Sequence, residues 1–151
     1  MDTFFFFFIV GILVFEYLLG IVMDFLNIKH SKKTLPEELS GIYDEEKLIK
    51  QKKYESDNFR FDLISSTFSF IVMMLMLFLG GFGYVNDIVC DYTTNPILQA
   101  LIFFGVIMLA SDLISTPFEI YSTFVIEERY GFNNTSIKTF ILDKLKSWLL
   151  M

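Results

Sequence analysis

The sequence predicts an all-α, multi-pass membrane fold with three transmembrane helices, the start of a fourth and a helical cytoplasmic loop. Three observations predict it. Hydrophobic residues make up 54% of the 151-residue chain, and 19 residues are Phe. Mean hydropathy is +0.53, whereas a soluble domain is about 45–50% apolar with charges spread throughout. Apolar residues also gather into windows of the length a membrane demands, about 20 residues at about 1.5 Å each for a hydrocarbon core of roughly 30 Å. Within those windows only Glu16 and Asp112 are charged, and the rest of the charge lies outside them.

The first window, residues 4–23, is interrupted only by Glu16. Its low-complexity start, Phe4 to Phe8, reads as the lipid-facing or helix-packing beginning of a span. No basic residue precedes it and no small-residue cleavage site follows, so it is expected to be a retained anchor and not a secretory signal. Residues 27–62 carry most of the charge and are expected to be helical. Thr34, Pro36 and Glu37 fit an N-terminal capping pattern, Gly41 interrupts it, and Asp44 can cap a second helix through EEKLIKQKKYES. Within that helix Glu46 and Lys50 form a favourable i,i+4 pair.

The second window, residues 63–85, has no charge, and Gly80, Gly81 and Gly83 are expected to loosen its end before an outer loop at 86–96. The third window, 97–118, holds Asp112 as its one charge. A fourth helix is expected from about residue 139, with Phe140, Ile141, Leu142, Leu145, Trp148, Leu149 and Leu150 as its apolar residues. The chain ends at Met151 before that helix could span, so the C-terminus reads as cut within an element.

All 12 Lys and Arg lie in two segments, from Lys29 to Arg60 and from Arg129 to Lys146, while the loop between the second and third windows carries Asp87 and Asp91 and no base. The positive-inside rule then places both basic segments in the cytosol and the N-terminus outside or in the lumen. The partner this implies is the lipid bilayer. A net charge of -6 argues against nucleic acid. The single Cys90 has no partner for a disulfide, and His30 and Cys90 fall on opposite expected faces of the membrane. No zinc site, catalytic triad or phosphate loop can be assembled from the chain, so no catalytic residue, metal ligand or cofactor is expected in it.

Intramembrane acids remain. A charge at mid-bilayer costs about 2.5–3.5 kcal/mol on insertion scales, so Glu16 and Asp112 should face protein or water. Asp112, Ser115 or Thr116, and Glu119 form one helical stripe. It would line a hydrated cavity, hydrogen-bond a neighbouring helix, or conduct protons or ions, and no basic partner is evident beside it. Pro117 is expected to kink the third span. Beyond it Glu127 and Glu128 read as a solvated helix end or as an acid-base pair. Gly131 supplies a backbone conformation of positive φ, and Asn133 or Asn134 caps the next helix. The sequons Asn133-x-Thr135 and Asn134-x-Ser136 would lie on the cytosolic side and are expected to be unmodified.

The string PFEIYSTFVIEERYGFN, followed by TSIKTFILDKLKS, resembles the N-terminal membrane region of type I CaaX prenyl endopeptidases, integral-membrane zinc metalloproteases. The stretch from LPEEL and IYDEEK into KQKKYESDNFRFDLISSTFS is similar to the same family, so the likeness runs from about Phe15 to Met151. The matched positions include Pro117, Tyr121, Glu127, Glu128, Arg129, Gly131, Phe132 and Asn133, as structural or chamber-rim residues. Glu119 stands where the family usually has Ser, and Asp112 where an uncharged residue is expected. The resemblance implies that the whole chain is one N-terminal membrane domain of an enzyme that cleaves C-terminal CaaX motifs of prenylated proteins around a water-filled chamber. It also implies zinc held by HExxH in a catalytic portion this chain lacks, a location in the endoplasmic reticulum (a bacterial inner membrane if prokaryotic), and no catalysis by this chain alone. The alternatives are a non-catalytic adaptor or prenyl-protein-binding scaffold and, from another class, an ion or proton conductor built on Glu16, Asp112 and Glu119.

Overall fold

A computed structural model describes residues 3–31 and 45–150. The capping pattern at Thr34, Pro36 and Glu37, the break at Gly41 and the cap at Asp44 lie outside the described residues. The rest is helical in the order α1 (Thr3–Ser31), α2 (Glu45–Phe78), α3 (Gly81–Tyr92), α4 (Pro96–Tyr121), a π-helical segment (Ser122–Glu127), α5 (Glu128–Tyr130) and α6 (Ile137–Leu150). Three stretches are long and apolar enough to cross a membrane: Thr3–Lys29, Glu46–Phe78 and Pro96–Tyr130.

Apolar side chains point outward from these helices. Among the described residues only Val89 and Ile126 are buried apolar residues, while Phe4, Leu79 and Ile97 are each more than 70% exposed. Helices that bury so little against one another need an apolar surrounding, which lipid and neighbouring helices supply. The exposed Phe4, Phe5, Phe7 and Phe8 fit this, and Phe4 stacks on Phe8 one turn on at 6.3 Å.

Two compact units divide the chain at Phe70 and Ile71. In the first, α1 meets α2 through Tyr17. Its ring stacks on Phe70 with centroids 4.2 Å apart and planes 9° from parallel. The Thr67 hydroxyl donates to the Leu63 carbonyl at 2.6 Å, so the 2.7 Å bond between Tyr17 and Thr67 has the tyrosine as donor. Aromatic stacking and a satisfied hydroxyl together fix one helix-helix contact that apolar burial alone would leave free to slide.

Element boundaries differ from the expected windows in ways the backbone explains. α2 is one helix of 34 residues from the charged segment into the apolar one. It stops at Phe78, short of residue 85, because Gly80 takes a left-handed conformation at φ 72°. α3 begins at Gly81 and occupies most of the expected outer loop. Asn95 then caps α4, its side-chain oxygen accepting from the Ile97 and Leu98 amides at 3.0 and 3.4 Å. Pro96 takes the first helical position, where its missing N–H costs nothing.

Pro117 does not end the third span. It sits inside α4, and helical structure continues through Tyr130. Five residues beyond it the helix widens to π geometry, whose i to i+5 bonding inserts an extra residue into the turn.

Candidate functional site

The second unit holds the stretch from Pro117 to Asn133. After the π segment, in which Ile126 is 4% exposed, α5 ends in a glycine turn. Gly131 is left-handed, with φ 68° and ψ 27°. Its amide donates to the Glu128 carbonyl at 3.0 Å, and the Phe132 amide reaches back to the Glu127 carbonyl at 2.9 Å. This pair of bonds is a Schellman termination and satisfies carbonyls that the helix end would leave bare. The two glutamates thus contribute main-chain acceptors to the turn. The Glu128 carboxylate also accepts from Asn133 Nδ2 at 2.9 Å. Tyr121, Arg129 and Phe132 lie on the surface of this stretch.

The cap of the next helix is Ser136, not Asn133 or Asn134. Ser136 Oγ accepts from the Thr139 amide at 3.2 Å and shares a 2.9 Å hydrogen bond with the Thr139 hydroxyl. Asn133 turns the chain just before, its side-chain oxygen accepting from the Thr135 amide at 2.7 Å. α6 therefore starts at Ile137, two residues earlier than expected.

α4 and α6 run antiparallel and meet through polar side chains. Lys144 Nζ lies 2.7 Å from Asp112 Oδ1 and 2.8 Å from Glu119 Oε2. Trp148 Nε1 donates to the other Asp112 oxygen at 2.7 Å, and the Thr116 hydroxyl donates to the Asp112 carbonyl at 2.7 Å. The Lys144 side chain is 15% exposed, Asp112 23% and Glu119 44%. The acidic stripe thus has the basic partner that the sequence reading did not find, and it comes from α6. Nearer the turn Phe124 meets Phe140 edge to face, with centroids 5.7 Å apart. Between these contacts the helices flank a half-open, mainly apolar slot of about 470 Å³, lined by Leu113, Ile120, Ile141 and Leu145 among others. Glu16 lies in the first unit, exposed on α1.

No group of three or more His, Cys, Asp or Glu side chains stands ready to hold a metal ion among the described residues. Cys90 is free and exposed. The described residues do not fit a zinc centre.

These features define a multi-pass helical membrane protein whose third span widens, turns on a glycine and returns as a charge-paired helix. Residues 24–151 match the family described as the CAAX prenyl protease N-terminal region, with five membrane helices, and the chain belongs to that family. The CAAX prenyl protease 1 homolog of Arabidopsis thaliana is 31% identical over 150 residues, covering 94% of this chain and 35% of the relative. The probable CAAX prenyl protease 1 of Schizosaccharomyces pombe is 35% identical over 125 residues, covering 74% of this chain and 26% of the relative. The crystal structure of S. mikatae Ste24p aligns with a TM-score of 0.81 at 23% identity, over 93% of this chain and 34% of that one, a likeness of fold. The chain thus spans about a quarter to a third of the length of these proteins.

Proposed function

We propose that this chain forms the N-terminal membrane part of a CaaX prenyl protein endopeptidase, supplying chamber wall and cytosolic rim for cleavage of C-terminal CaaX motifs on prenylated proteins. The observation that carries this reading is the family match over residues 24–151. Zinc, which would polarise the scissile carbonyl and activate water, would be held by residues outside this chain. The chain's own part is positional. Pro117, Tyr121, Glu127, Glu128, Arg129, Gly131, Phe132 and Asn133 set the end of the third span and the return of the chain, while Asp112 and Glu119 hold α6 in place through Lys144 and line the cavity wall.

A chimera tests this division of labour. Residues 24–151 placed in the Arabidopsis relative, in exchange for the segment they match, are expected to support cleavage of a farnesylated CaaX peptide in membranes. The 151-residue chain alone is expected to leave the peptide intact. Chelator-sensitive cleavage by the chain alone would overturn the assignment, and so would a chimera that accumulates to the relative's level without cleaving.

The segregation of Lys and Arg supports an orientation in the endoplasmic reticulum membrane with the N-terminus lumenal and the basic segments cytosolic. In microsomes, a sequon-bearing tag on the N-terminus is expected to acquire glycan, and the same tag inserted between residues 32 and 44 is not. The reverse pattern would invert the topology.

A further inference from the structure

The slot between α4 and α6 raises a question of register. Helices that interdigitate closely are held in register by ridges and grooves along their whole contact. Here a half-open slot of about 470 Å³ separates much of the two apolar faces. Among its lining residues Leu113, Ile120, Ile141 and Leu145 are similar in size and character, so in that part of the slot a slip of one helical turn exchanges one aliphatic contact for another, while the rings of Phe124 and Phe140 at one end differ in shape. Apolar contact alone therefore distinguishes poorly between neighbouring registers.

The polar side chains differ in this respect. Asp112 and Glu119 are seven residues apart on one face of α4, about 10 Å along the axis at about 1.5 Å per residue. Lys144 touches both, which requires its ammonium to sit between them. Trp148, four residues on and so on the same face of α6, fills the remaining Asp112 oxygen. A slip of one residue shifts α6 by about 1.5 Å and turns it by about 100°, and a slip of one turn moves it about 5.4 Å. Either takes the ammonium from at least one acid, and the loss weighs most at Asp112, the more enclosed of the two at 23% exposed.

We propose that the cluster of Asp112, Glu119, Lys144 and Trp148 is a register lock, the contact that selects one axial alignment of α6 on α4. Polar groups at a helix-helix contact are best attested as register-fixing devices, and this cluster is a partly enclosed one. The proposal concerns the hairpin of the third span and α6 and stands apart from the protease reading.

Cross-linking reads register directly. In the full chain carrying Cys90→Ser, Phe124→Cys is paired with Phe140→Cys for the observed alignment, and with Ile137→Cys or Asp143→Cys for alignments about one turn away. These exchanges also remove the aromatic contact at Phe124 and Phe140. With the cluster intact, oxidation is expected to give the 124 to 140 product at least fivefold over either slipped product. With Asp112→Asn, Glu119→Gln and Lys144→Met together, which leaves no unpaired charge to impair insertion, that preference is expected to fall to about twofold or less. Lys144→Arg should retain it. A neutral triple variant that keeps the 124 to 140 product at its original preference would overturn the lock, whatever its effect on stability.

Discussion

Lys144→Met is expected to lower the stability of the second unit by about 2–3 kcal/mol, the largest loss of any single side-chain truncation in the α4 and α6 pair. In a fully buried ion pair, removing one member costs about 3–5 kcal/mol, because the partner stays buried and charged, and this pair is only partly enclosed. The figure is lower here because Glu119 is 44% exposed and water or lipid headgroups compensate it in part. Asp112 is more enclosed, at 23%, and keeps only the Trp148 indole as a side-chain donor once the ammonium is gone. Asp112→Asn should cost less, about 1 kcal/mol, since the amide still accepts from Trp148 and Lys144 still has Glu119. The double variant should be less destabilised than the sum of the two, because each removes what makes the other costly. The midpoint of thermal unfolding in detergent measures all three. Strict additivity, or a Lys144→Met midpoint equal to wild type, would mean that the bridge adds nothing to folded stability.

Much of the fold could be read from composition alone, for a physical reason. A span needs only length and apolar character, and both are properties of a window that require no knowledge of neighbours. The ends of the helices were harder. The third window closes at residue 118 because Glu119 follows, but the helix carries Pro117 and continues by widening at Ser122–Glu127. The charged helix before the second window was expected to lead into it, and because backbone hydrogen bonding does not depend on polarity the two form a single helix, α2. Gly80 showed its role in the sequence as a loosening point but not its sign of φ, and that sign is what stops α2 seven residues early.

The polar cluster was half legible. The stripe from Asp112 to Glu119 follows from helical spacing, which is local. Its partner is not local, and Lys144 lies 25 residues beyond Glu119. A signal was nonetheless present. If the chain reverses at Gly131, an antiparallel return brings together residues equally far on either side. Glu119 lies twelve residues before Gly131 and Lys144 thirteen after it. Counting outward from the turn would have paired them. Trp148 then follows at one further turn of the same face. The cap at Ser136 was missed because two asparagines nearer the glycine offer the same chemistry, and only three-dimensional placement shows Asn133 spent on Glu128 and Thr135.

That counting argument makes Gly131 the origin of the register, and Gly131→Val is the second substitution expected to have a large effect. At φ 68° an added Cβ approaches the following carbonyl at a cost of about 1–2 kcal/mol. A β-branched side chain is worse placed still, so a loss of about 2 kcal/mol or more is expected for Val. Asn tolerates the left-handed region, and Gly131→Asn should lose about 1 kcal/mol or less. Valine would be relieved only by a rotation that breaks the bonds from Gly131 to Glu128 and from Phe132 to Glu127. Those bonds end α5 and set the direction in which the chain leaves toward α6. If they fail, Lys144 no longer arrives between Asp112 and Glu119, and most of the benefit of the bridge is already lost. The loss for Gly131→Val combined with Lys144→Met should therefore fall short of the two single losses added together, by about 1 kcal/mol or more, although Gly131 lies thirteen residues from Lys144 and neither side chain touches the other. Simple additivity of the unfolding midpoints would show that the turn and the bridge act independently, and that the hairpin finds its alignment without help from its turn.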